Sequence, residues 1–228
     1  FTMKQPTKIA IIGAGGITCH LLPILSLDYD TVLIDGDKFE PHNSTRQFPA
    51  LRFNGNKAKI LASMQMSRTS KEIQDIPHYL EGPSIVNNPC WQGVDFIFGC
   101  VDNNQSRKII VDICDRTDIP AIMCGNDTEM GDAHLVLPGY YDPFEHRDFG
   151  PMTKAPFSCT SDENAESAPQ TSAANFLAAA CGIHILASWR RVNNYKNIIV
   201  HSMMDSRSQS QRTRLRDVEK VPAIAVTG

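Results

Sequence analysis

The stretch "KIAIIGAGGIT", residues 8–18, decides the fold. It opens as a run rich in β-branched residues and turns at Gly13 toward "ITCHLLPILSL" (17–27), whose apolar residues recur at helical spacing. A second apolar run, "TVLID" (31–35), is continuous rather than alternating, which is typical of a parallel strand covered on both faces. These residues predict a β-α-β unit in which Pro23 should kink or break the helix.

The chain beyond this unit keeps alternating between the two kinds of apolar run. Asn103 is the predicted N-cap of one of the helices. The order of elements predicts an α/β fold with a Rossmann-like, doubly wound and mainly parallel sheet. Further strands are predicted at 94–102, 120–125, 133–138 and 197–204, and further helices at 57–67, 104–117 and 171–191.

The predicted organisation is a single domain over residues 1–228. Its nucleotide-binding half covers 8–138, and a polar stretch rich in Pro, Gly and Asp at 139–170 is interpreted as a flexible crossover loop. Residues 171–228 supply a C-terminal helix and strands. The segment 206–216 in this last part holds four arginines and is predicted to be solvated.

Composition excludes several classes of function. The net charge of −3 gives no basic excess that would predict binding to nucleic acid. No apolar run is expected to reach the roughly 18 residues of a membrane span, and residues 1–13 do not resemble a secretory signal, so we expect a cytoplasmic protein. The seven cysteines form no C-x-x-C pair, which suits a reducing compartment and predicts that the chain binds no zinc.

The glycine-rich turn predicts a nucleotide site without identifying the nucleotide. Gly13 and Gly15 permit a tight turn and the close approach of a phosphate, and the helix after Gly16 supplies N–H groups and a positive dipole end. Asp35 ends the second strand and is placed to accept hydrogen bonds from a ribose. Both features suit NAD as well as ATP, although Thr18 replaces the third glycine of the dinucleotide motif.

The polar stretch "NSTRQF" (43–48) and two further charged residues favour phosphate chemistry. On one helical turn, Asn43 and Arg46 would share a face beside the bound phosphates. Lys57 adds a second cation, and Asp102 ends the third strong strand at the sheet edge where such folds bind ligands. Two cations, an amide and a carboxylate suit phosphate chemistry, whereas hydride transfer needs none of them.

Taken together, the motifs resemble the ThiF/MoeB family, the adenylating domain of the ubiquitin-activating enzyme superfamily. A chance match to one motif is common, but a match to all five in the same order is improbable. The helix at 171–191 and the strand after it also look like the C-terminal part of the family. The matching motifs are "GAGG" (13–16), "LIDGD" (33–37), "NSTRQ" (43–47) against N-x-x-R-Q, "NKAK" (56–59) and "VDNNQSR" (101–107).

The resemblance implies a reaction and assigns roles in it. Such proteins bind Mg-ATP and a ubiquitin-like or sulfur-carrier protein ending in Gly-Gly, whose carboxylate attacks the α-phosphate to give an acyl-adenylate and pyrophosphate. Asp35 matches the ribose ligand, and Asp102 matches the carboxylate that engages magnesium and is essential for adenylation. Asp37 matches a second family aspartate but is better explained as a structural loop carboxylate. Asn43, Arg46 and Lys57 match the groups that orient and neutralise the triphosphate, and the other predicted nucleotide contacts are Gly13, Gly15, Gly16, Gln47 and Asn103.

Three departures from the family pattern indicate a divergent branch. Thr18 stands where the family usually has glycine, and the zinc-binding C-x-x-C pairs of many bacterial relatives are missing. Family members often receive an arginine from a partner subunit's N-terminus; only Lys4 and Lys8 precede the glycine turn here, so that arginine is absent, replaced or cut off. The resemblance still implies a homodimer, and a conjugating enzyme is a further candidate partner.

Cys159, in the polar loop, is the candidate nucleophile for a thioester. An exposed thiolate there could move toward an adenylate, and the Cys-Thr pair resembles the catalytic cysteine segment of larger ubiquitin-activating enzymes. The alternative is a loop cysteine without a role. His134, His146 and His184 have no partners at metal-ligand spacing and are expected to be structural.

Two other functions stay open from the sequence. One is a Rossmann oxidoreductase that uses NAD. The other is a non-catalytic subunit with the ThiF fold that recruits partners, although the presence of both Lys57 and Asp102 counts against a decayed site.

Overall fold

A computed structural model describes residues 6–45, 47–80, 86–139, 171–191, 197–205 and 210–217. Short 3-10 turns in these ranges lie at Pro41–Thr45, Phe48–Leu51 and Pro89–Trp91. The helices are α1 (Gly16–Asp28), α2 (Lys57–Thr69), α3 (Asn104–Thr117) and α4 (Ser172–Arg190). The strands are β1 (Lys8–Ile12), β2 (Asp30–Ile34), β3 (Ile73–Ile76), β4 (Phe96–Gly99), β5 (Ala121–Asn126), β6 (Met130–Val136), β7 (Asn197–Asp205) and β8 (Ser210–Asp217).

All eight strands form one sheet in the order β3-β2-β1-β4-β5-β6-β7-β8. The strands from β3 to β5 are parallel, and β6, β7 and β8 extend the sheet with antiparallel pairings. Successive residues of β1 point to opposite faces: Ile9 and Ile11 pack in a core with α1, α2 and α4, whereas Ala10 and Ile12 pack in a core with α3. Helices therefore cover both faces, and the predicted doubly wound α/β fold is confirmed.

Helix α1 continues through Pro23 to Asp28, so the predicted break in this helix is wrong. Proline removes one backbone hydrogen bond from a helix interior. Leu21, Leu22 and Leu25 are buried in the core on either side of it, and this burial stabilises the helix across the missing bond.

The two edges of the sheet differ from the prediction. Strand β3, which the sequence analysis missed, has only two apolar residues in four and pairs with β2 at one edge. At the other edge, residues 210–216 belong to β8, a strand that was not predicted, and pair with β7, although residues 211–213 are exposed to solvent as expected. The side chains of Arg212 and Leu215 remain exposed, because backbone hydrogen bonds can hold an edge strand in place without a buried face.

Helix α4 is long and apolar enough, by length and composition alone, to cross a membrane, contrary to the expectation that no run reaches that length. Half of its apolar window is buried, and it packs against α1 and the strands β5, β6 and β7. A core helix passes the same test, and these contacts are those of a core helix. The predicted crossover loop, residues 139–170, lies outside the described residues except for Gly139.

Candidate active site

The turn after β1 is held between the ends of β2 and β4. The N–H of Gly13 donates to the carbonyl of Ile34 over 2.9 Å. The φ of Gly13 is +94°, and a Cβ added there would lie 2.5 Å from the carbonyl oxygen of Cys100. Glycine is therefore required at this position, because a side chain would clash with backbone and the conformation disfavours L residues.

The N-terminus of α1 is arranged to bind an anion. No side chain in the described part of the chain caps this helix at Gly15, and its first turn contains no acidic residue. Thr18 donates its hydroxyl to the carbonyl of Gly13 over 2.5 Å, so the residue that departs from the family pattern fastens the turn. The N–H groups at the start of α1, together with the positive end of its dipole, suit a phosphate.

Asp35 joins the end of β2 to the glycine turn. Its Oδ2 accepts the N–H of Ala14 over 2.5 Å, and its Oδ1 accepts the N–H of Asp37 over 2.7 Å. Burial raises the pKa of Asp35, while these two hydrogen bonds and the charge of Lys57 act to lower it. Each carboxylate oxygen can accept a second hydrogen bond, so Asp35 can hold the turn and bind a ribose hydroxyl together.

Lys57 is a nearly buried cation at the start of α2. Its side chain is 10% exposed, and its Nζ lies 3.3 Å from Oδ2 of Asp37. Asn56 caps α2 by accepting the N–H of Lys59, and its Nδ2 donates to the carbonyl oxygens of Asp35 and Asp37 over 2.8 and 3.1 Å. The amide of Asn56 thus ties α2 to the loop after β2 and keeps Lys57 beside Asp35. The sequence analysis did not assign Asn56, although its place before a predicted helix was a usable signal.

Asp37 is held in its loop by two partners. It pairs with Lys57 and accepts a hydrogen bond from the hydroxyl of Tyr79. The ring of Tyr79 lies against Gly36, where an added Cβ would come within 2.6 Å of it. No motif or periodicity predicts a site residue at Tyr79, because it follows β3, a strand that was not predicted.

Asn43 and Gln47 are buried although they belong to a polar stretch. Oδ1 of Asn43 accepts the N–H of Glu40 over 3.0 Å, which organises the turn at Pro41–Thr45. Gln47 is 4% exposed, and its Nε2 lies 3.9 Å from the position of a Cβ on Gly15. Its Oε1 has no hydrogen-bond partner among the described residues. A buried amide with unused capacity beside a glycine turn is expected where a polar ligand binds.

Asn175 of α4 contributes a second buried amide to the same turn. It is 2% exposed, and its Nδ2 would lie 2.3 Å from a Cβ added to Gly16. This Nδ2 also lacks a hydrogen-bond partner within the described ranges. Asn175 was not among the predicted site residues, although a single amide in the apolar run "AANFLAAA" was a signal for it.

Asp102 and Asn103 follow β4 on the other side of the turn. The N–H of Cys100 donates to the carbonyl of Ile12 over 2.8 Å, which brings the end of β4 to the glycine turn. Asp102 is exposed two residues further on. Oδ1 of Asn103 accepts the N–H of Ser106 over 2.8 Å, so the predicted N-cap of α3 is confirmed.

The glycine turn is the common neighbour of the predicted site residues. Lys57 approaches it from the β2 side, and Asp102 follows the strand on its other side. An uncapped helix, a cation, a buried carboxylate and two buried amides fit a nucleotide that carries phosphates. Arg46 and Cys159, also predicted site residues, lie outside the described residues, and their placement stays a prediction.

The histidines only partly follow the prediction. His184 contacts the hydroxyl of Ser202 over 3.3 Å, as expected of a structural residue, and His146 lies outside the described residues. His134, which has no partner at metal-ligand spacing in the sequence, lies in space with Asp132 and His201. The pairing of β6 with β7 brings these residues together, and no local spacing predicts it.

Comparison with known proteins agrees with the motifs. The profile of the ThiF family matches residues 4–219. SUMO-activating enzyme subunit 2 of Dictyostelium discoideum is 27% identical over 150 residues, which cover 64% of this chain and 22% of that protein. The NEDD8-activating enzyme E1 catalytic subunit of Arabidopsis thaliana is 29% identical over 188 residues, covering 73% of this chain and 40% of that protein. The chain thus spans about a fifth to two fifths of these relatives.

Among solved structures, the chain is similar to MccB of E. coli. The TM-score is 0.67 at 18% identity, covering 98% of this chain and 66% of MccB, which establishes a shared fold. MccB has been solved with ATP and with N-formylated MccA.

Proposed function

Because the chain belongs to the ThiF family, we propose that it uses ATP to adenylate the C-terminal carboxylate of a ubiquitin-like protein, a sulfur carrier or a related peptide. One observation carries the proposal: Asp35, nearly buried Lys57 and two buried amides surround an uncapped helix N-terminus. The relatives support the substrate class, since their names describe activation of SUMO and NEDD8, and MccB was solved with MccA.

The proposed reaction is an in-line displacement at the α-phosphorus of ATP. A carboxylate oxygen of the substrate forms the new bond, the bond to the oxygen between the α- and β-phosphorus breaks, and pyrophosphate leaves with that electron pair. Negative charge grows on the phosphate oxygens during the step. The ammonium of Lys57 and the N–H groups of α1 would stabilise this charge, and Asp35 would fix the ribose.

Lys57 needs little rearrangement for this role. In the structure its Nζ faces Asp37, whose side chain is 50% exposed. A phosphate can replace Asp37 as the partner of Nζ, because the half-exposed carboxylate regains water when it is released. Arg46 is the second proposed cation.

Magnesium is proposed to bind at Asp102. Asp102 is exposed and follows Val101, whose side chain lies 3.3 Å from the position of a Cβ on Gly13, and carboxylate oxygens are ligands that Mg²⁺ accepts. When bound, the ion supplies positive charge to the phosphate oxygens.

A thioester on Cys159 is the proposed second step. Six of the seven cysteines are buried, and burial raises the pKa of Cys19 to about 12 and the pKa of Cys181 to about 11. Thiols with such pKa values supply almost no thiolate at neutral pH. In the second step the sulfur of Cys159 would attack the acyl carbon, and AMP would leave.

Ligand binding and pyrophosphate release test the proposal. We expect calorimetry to show binding of Mg-ATP but not of NAD, and pyrophosphate release that depends on a carrier ending in Gly-Gly. Binding of NAD alone would instead identify an oxidoreductase. ATP binding without pyrophosphate release from any such carrier, and unchanged by Asp102→Ala, would identify a non-catalytic subunit.

The remaining partner proposals rest on the family alone. A homodimer of the 25.3 kDa chain would have twice that mass in light scattering. A conjugating enzyme is proposed to receive the activated carrier, and carrier transfer in a reconstituted mixture would test it.

A further inference from the structure

A second polar cluster lies in the antiparallel part of the sheet. It consists of Asp132 and His134 on β6 and His201 on β7, and we call it the His-Asp cluster. Nε2 of His134 lies 2.8 Å from Oδ2 of Asp132, and Nε2 of His201 lies 4.0 Å from the same oxygen. One ligand atom from each residue lies within 4.8 Å of the others.

The fold positions the cluster through strand register. His134 and His201 are directly paired between β6 and β7, and their rings stack with centroids 4.4 Å apart and planes 9° from parallel. Asp132 is two residues before His134 and so lies on the same face. The other face of β6 packs on α4, because a Cβ on Gly131 would lie 2.1 Å from the backbone nitrogen of Ala178. The cluster therefore faces away from α4.

The cluster is partly accessible to solvent. The side chains of Asp132, His134 and His201 are 33%, 20% and 24% exposed. This degree of burial limits the movement of the side chains, but an ion in solution can still reach them. The pairing of β6 with β7 fixes the backbone positions of all three residues.

We propose that the His-Asp cluster binds a divalent transition-metal ion of the zinc type. Two imidazole nitrogens and a carboxylate oxygen are common zinc ligands, and three such atoms about 2.1 Å from a tetrahedral ion are about 3.4 Å apart. The two observed distances to Oδ2 of Asp132, 2.8 and 4.0 Å, lie on either side of that separation. Rotation of the stacked rings about their side-chain bonds would point both nitrogens at one ion, and water would fill the remaining position.

The charges around the cluster indicate the kind of ion. Arg214 of β8 is paired in register with His201. Nη2 of Arg107 and Oδ1 of Asp132 both lie beside Gly125, 3.4 and 2.7 Å from the position of a Cβ there. Positive charge at these positions weakens the attraction of a hard cation such as Mg²⁺, which depends on carboxylates. The same charge also opposes Zn²⁺, but Zn²⁺ bonds strongly to neutral imidazole, a ligand that Mg²⁺ does not favour.

Such an ion would join β6 to β7 and stabilise the antiparallel part of the sheet. The earlier expectation of no zinc rested on cysteine spacing, whereas this cluster contains no cysteine. The proposal does not depend on adenylation.

Titration of the full chain with metal ions tests the proposal. A Cys159→Ser background, with any affinity tag removed, excludes the one cysteine that is not among the buried ones. Calorimetry should show one Zn²⁺ per chain and no binding of Mg²⁺ at the cluster. Bound Co²⁺ should give visible absorption without the charge-transfer band of a thiolate ligand.

Three variants and one control locate the ion. His201→Ala and Asp132→Asn should each weaken zinc binding by at least about tenfold, and the His134→Ala/His201→Ala double variant should abolish it. His42→Ala is the matched control, because His42 also faces a carboxylate, Glu40, over 3.2 Å on the surface. It should leave the affinity unchanged.

Two results would overturn the proposal: absence of stoichiometric zinc binding by the wild type, or unchanged affinity in the folded double variant. Circular dichroism establishes folding. If the double variant does not fold, the zinc affinity of the near-isosteric Asp132→Asn variant is measured instead. An unchanged affinity in that variant contradicts the proposal.

Discussion

The parallel and antiparallel parts of the sheet present polar side chains in different ways. In the parallel strands β1, β2 and β4 the strand interiors are buried on both faces, and the candidate site lies in the turns beyond the strand ends. On β6 and β7 the polar residues Asp132, His134 and His201 lie within the strands themselves. Parallel strands covered on both faces can place functional polar side chains only at their ends. An antiparallel strand with one open face can place such side chains along its whole length.

This difference means that the residues of one site can be recognised from short motifs, whereas those of the other can be recognised only from the pairing of two strands. The glycine turn, Asp35 and Lys57 each sit in a short motif with its own signature. The His-Asp cluster exists only because β6 and β7 pair in one register. A shift by one residue would turn one strand's side chains to the opposite face and separate the cluster.

The largest expected effect is on adenylation, and it should follow from loss of the carboxylate of Asp102 but not from loss of the carboxylate of Asp132. Asp102→Ala should reduce carrier-dependent pyrophosphate release by about 100- to 1000-fold, because it removes the proposed magnesium ligand from the transition state. Asp132→Asn should leave the affinity for Mg-ATP unchanged. Initial rates with saturating ATP, together with calorimetry, measure both. A normal rate in Asp102→Ala would remove this residue from the mechanism.

One glycine in the parallel part of the sheet and one in the antiparallel part should be intolerant of a side chain. Gly13→Ala combines a positive φ with a 2.5 Å approach to the oxygen of Cys100, and Gly131→Ala brings a Cβ within 2.1 Å of the backbone of Ala178. Each should lower the free energy of unfolding by about 2–4 kcal/mol, measured by urea denaturation. Gly15→Ala is the control, since its nearest neighbour is the end of a side chain at 3.9 Å. A loss for Gly15→Ala equal to that for Gly13→Ala would show that the steric account is wrong.

A comparison of two lysines of α2 tests whether Lys57 is the cation that binds the phosphates of ATP. Lys57 is buried beside Asp37, whereas Lys59 is exposed two residues later. Lys57→Ala should weaken ATP binding by about 10- to 100-fold, the effect of losing a hydrogen bond to a charged group. Lys59→Ala should bind ATP like the wild type in the same calorimetric titration. Equal affinities for the two variants would contradict the role of Lys57.

The smallest effect concerns the buried carboxylate of Asp35. Because burial raises its pKa in the folded state above the ordinary value, the folded protein holds this proton more tightly than the unfolded chain. The resulting stability is fully present below the unfolded pKa and is lost as the pH rises through the folded pKa. The free energy of unfolding of the wild type, relative to Asp35→Asn, should therefore fall as the pH rises through this range. A relative stability that increases with pH would mean that hydrogen bonds dominate over burial.

Sequence alone predicted the part of the fold that depends on local pattern. Strands β1 and β2 were predicted because each is a short, continuous apolar run. Helix α3 was predicted because its apolar residues recur at helical spacing directly after the cap at Asn103. Strand β3 and strand β8 were missed, since an edge strand is held by backbone hydrogen bonds that its side chains do not reveal.

The same distinction applies to the candidate site. Residues in motifs, such as Asp35 and Lys57, were recognised before their surroundings were known. Asn175 comes from a distant helix and meets the glycine turn only through the packing of α4 on α1. Residues of that kind depend on tertiary contacts, for which a single sequence gives no periodic signal.

A crystal structure with Mg-ATP tests the central claim most directly, which is that distant segments meet around one triphosphate. We expect the phosphates at the turn between Gly13 and Gly16, the ribose on Asp35, Lys57 and Arg46 at the phosphates, and Asp102 at the metal. A nucleotide bound elsewhere, or Lys57 and Asp102 directed away from a shared cavity, would contradict the account.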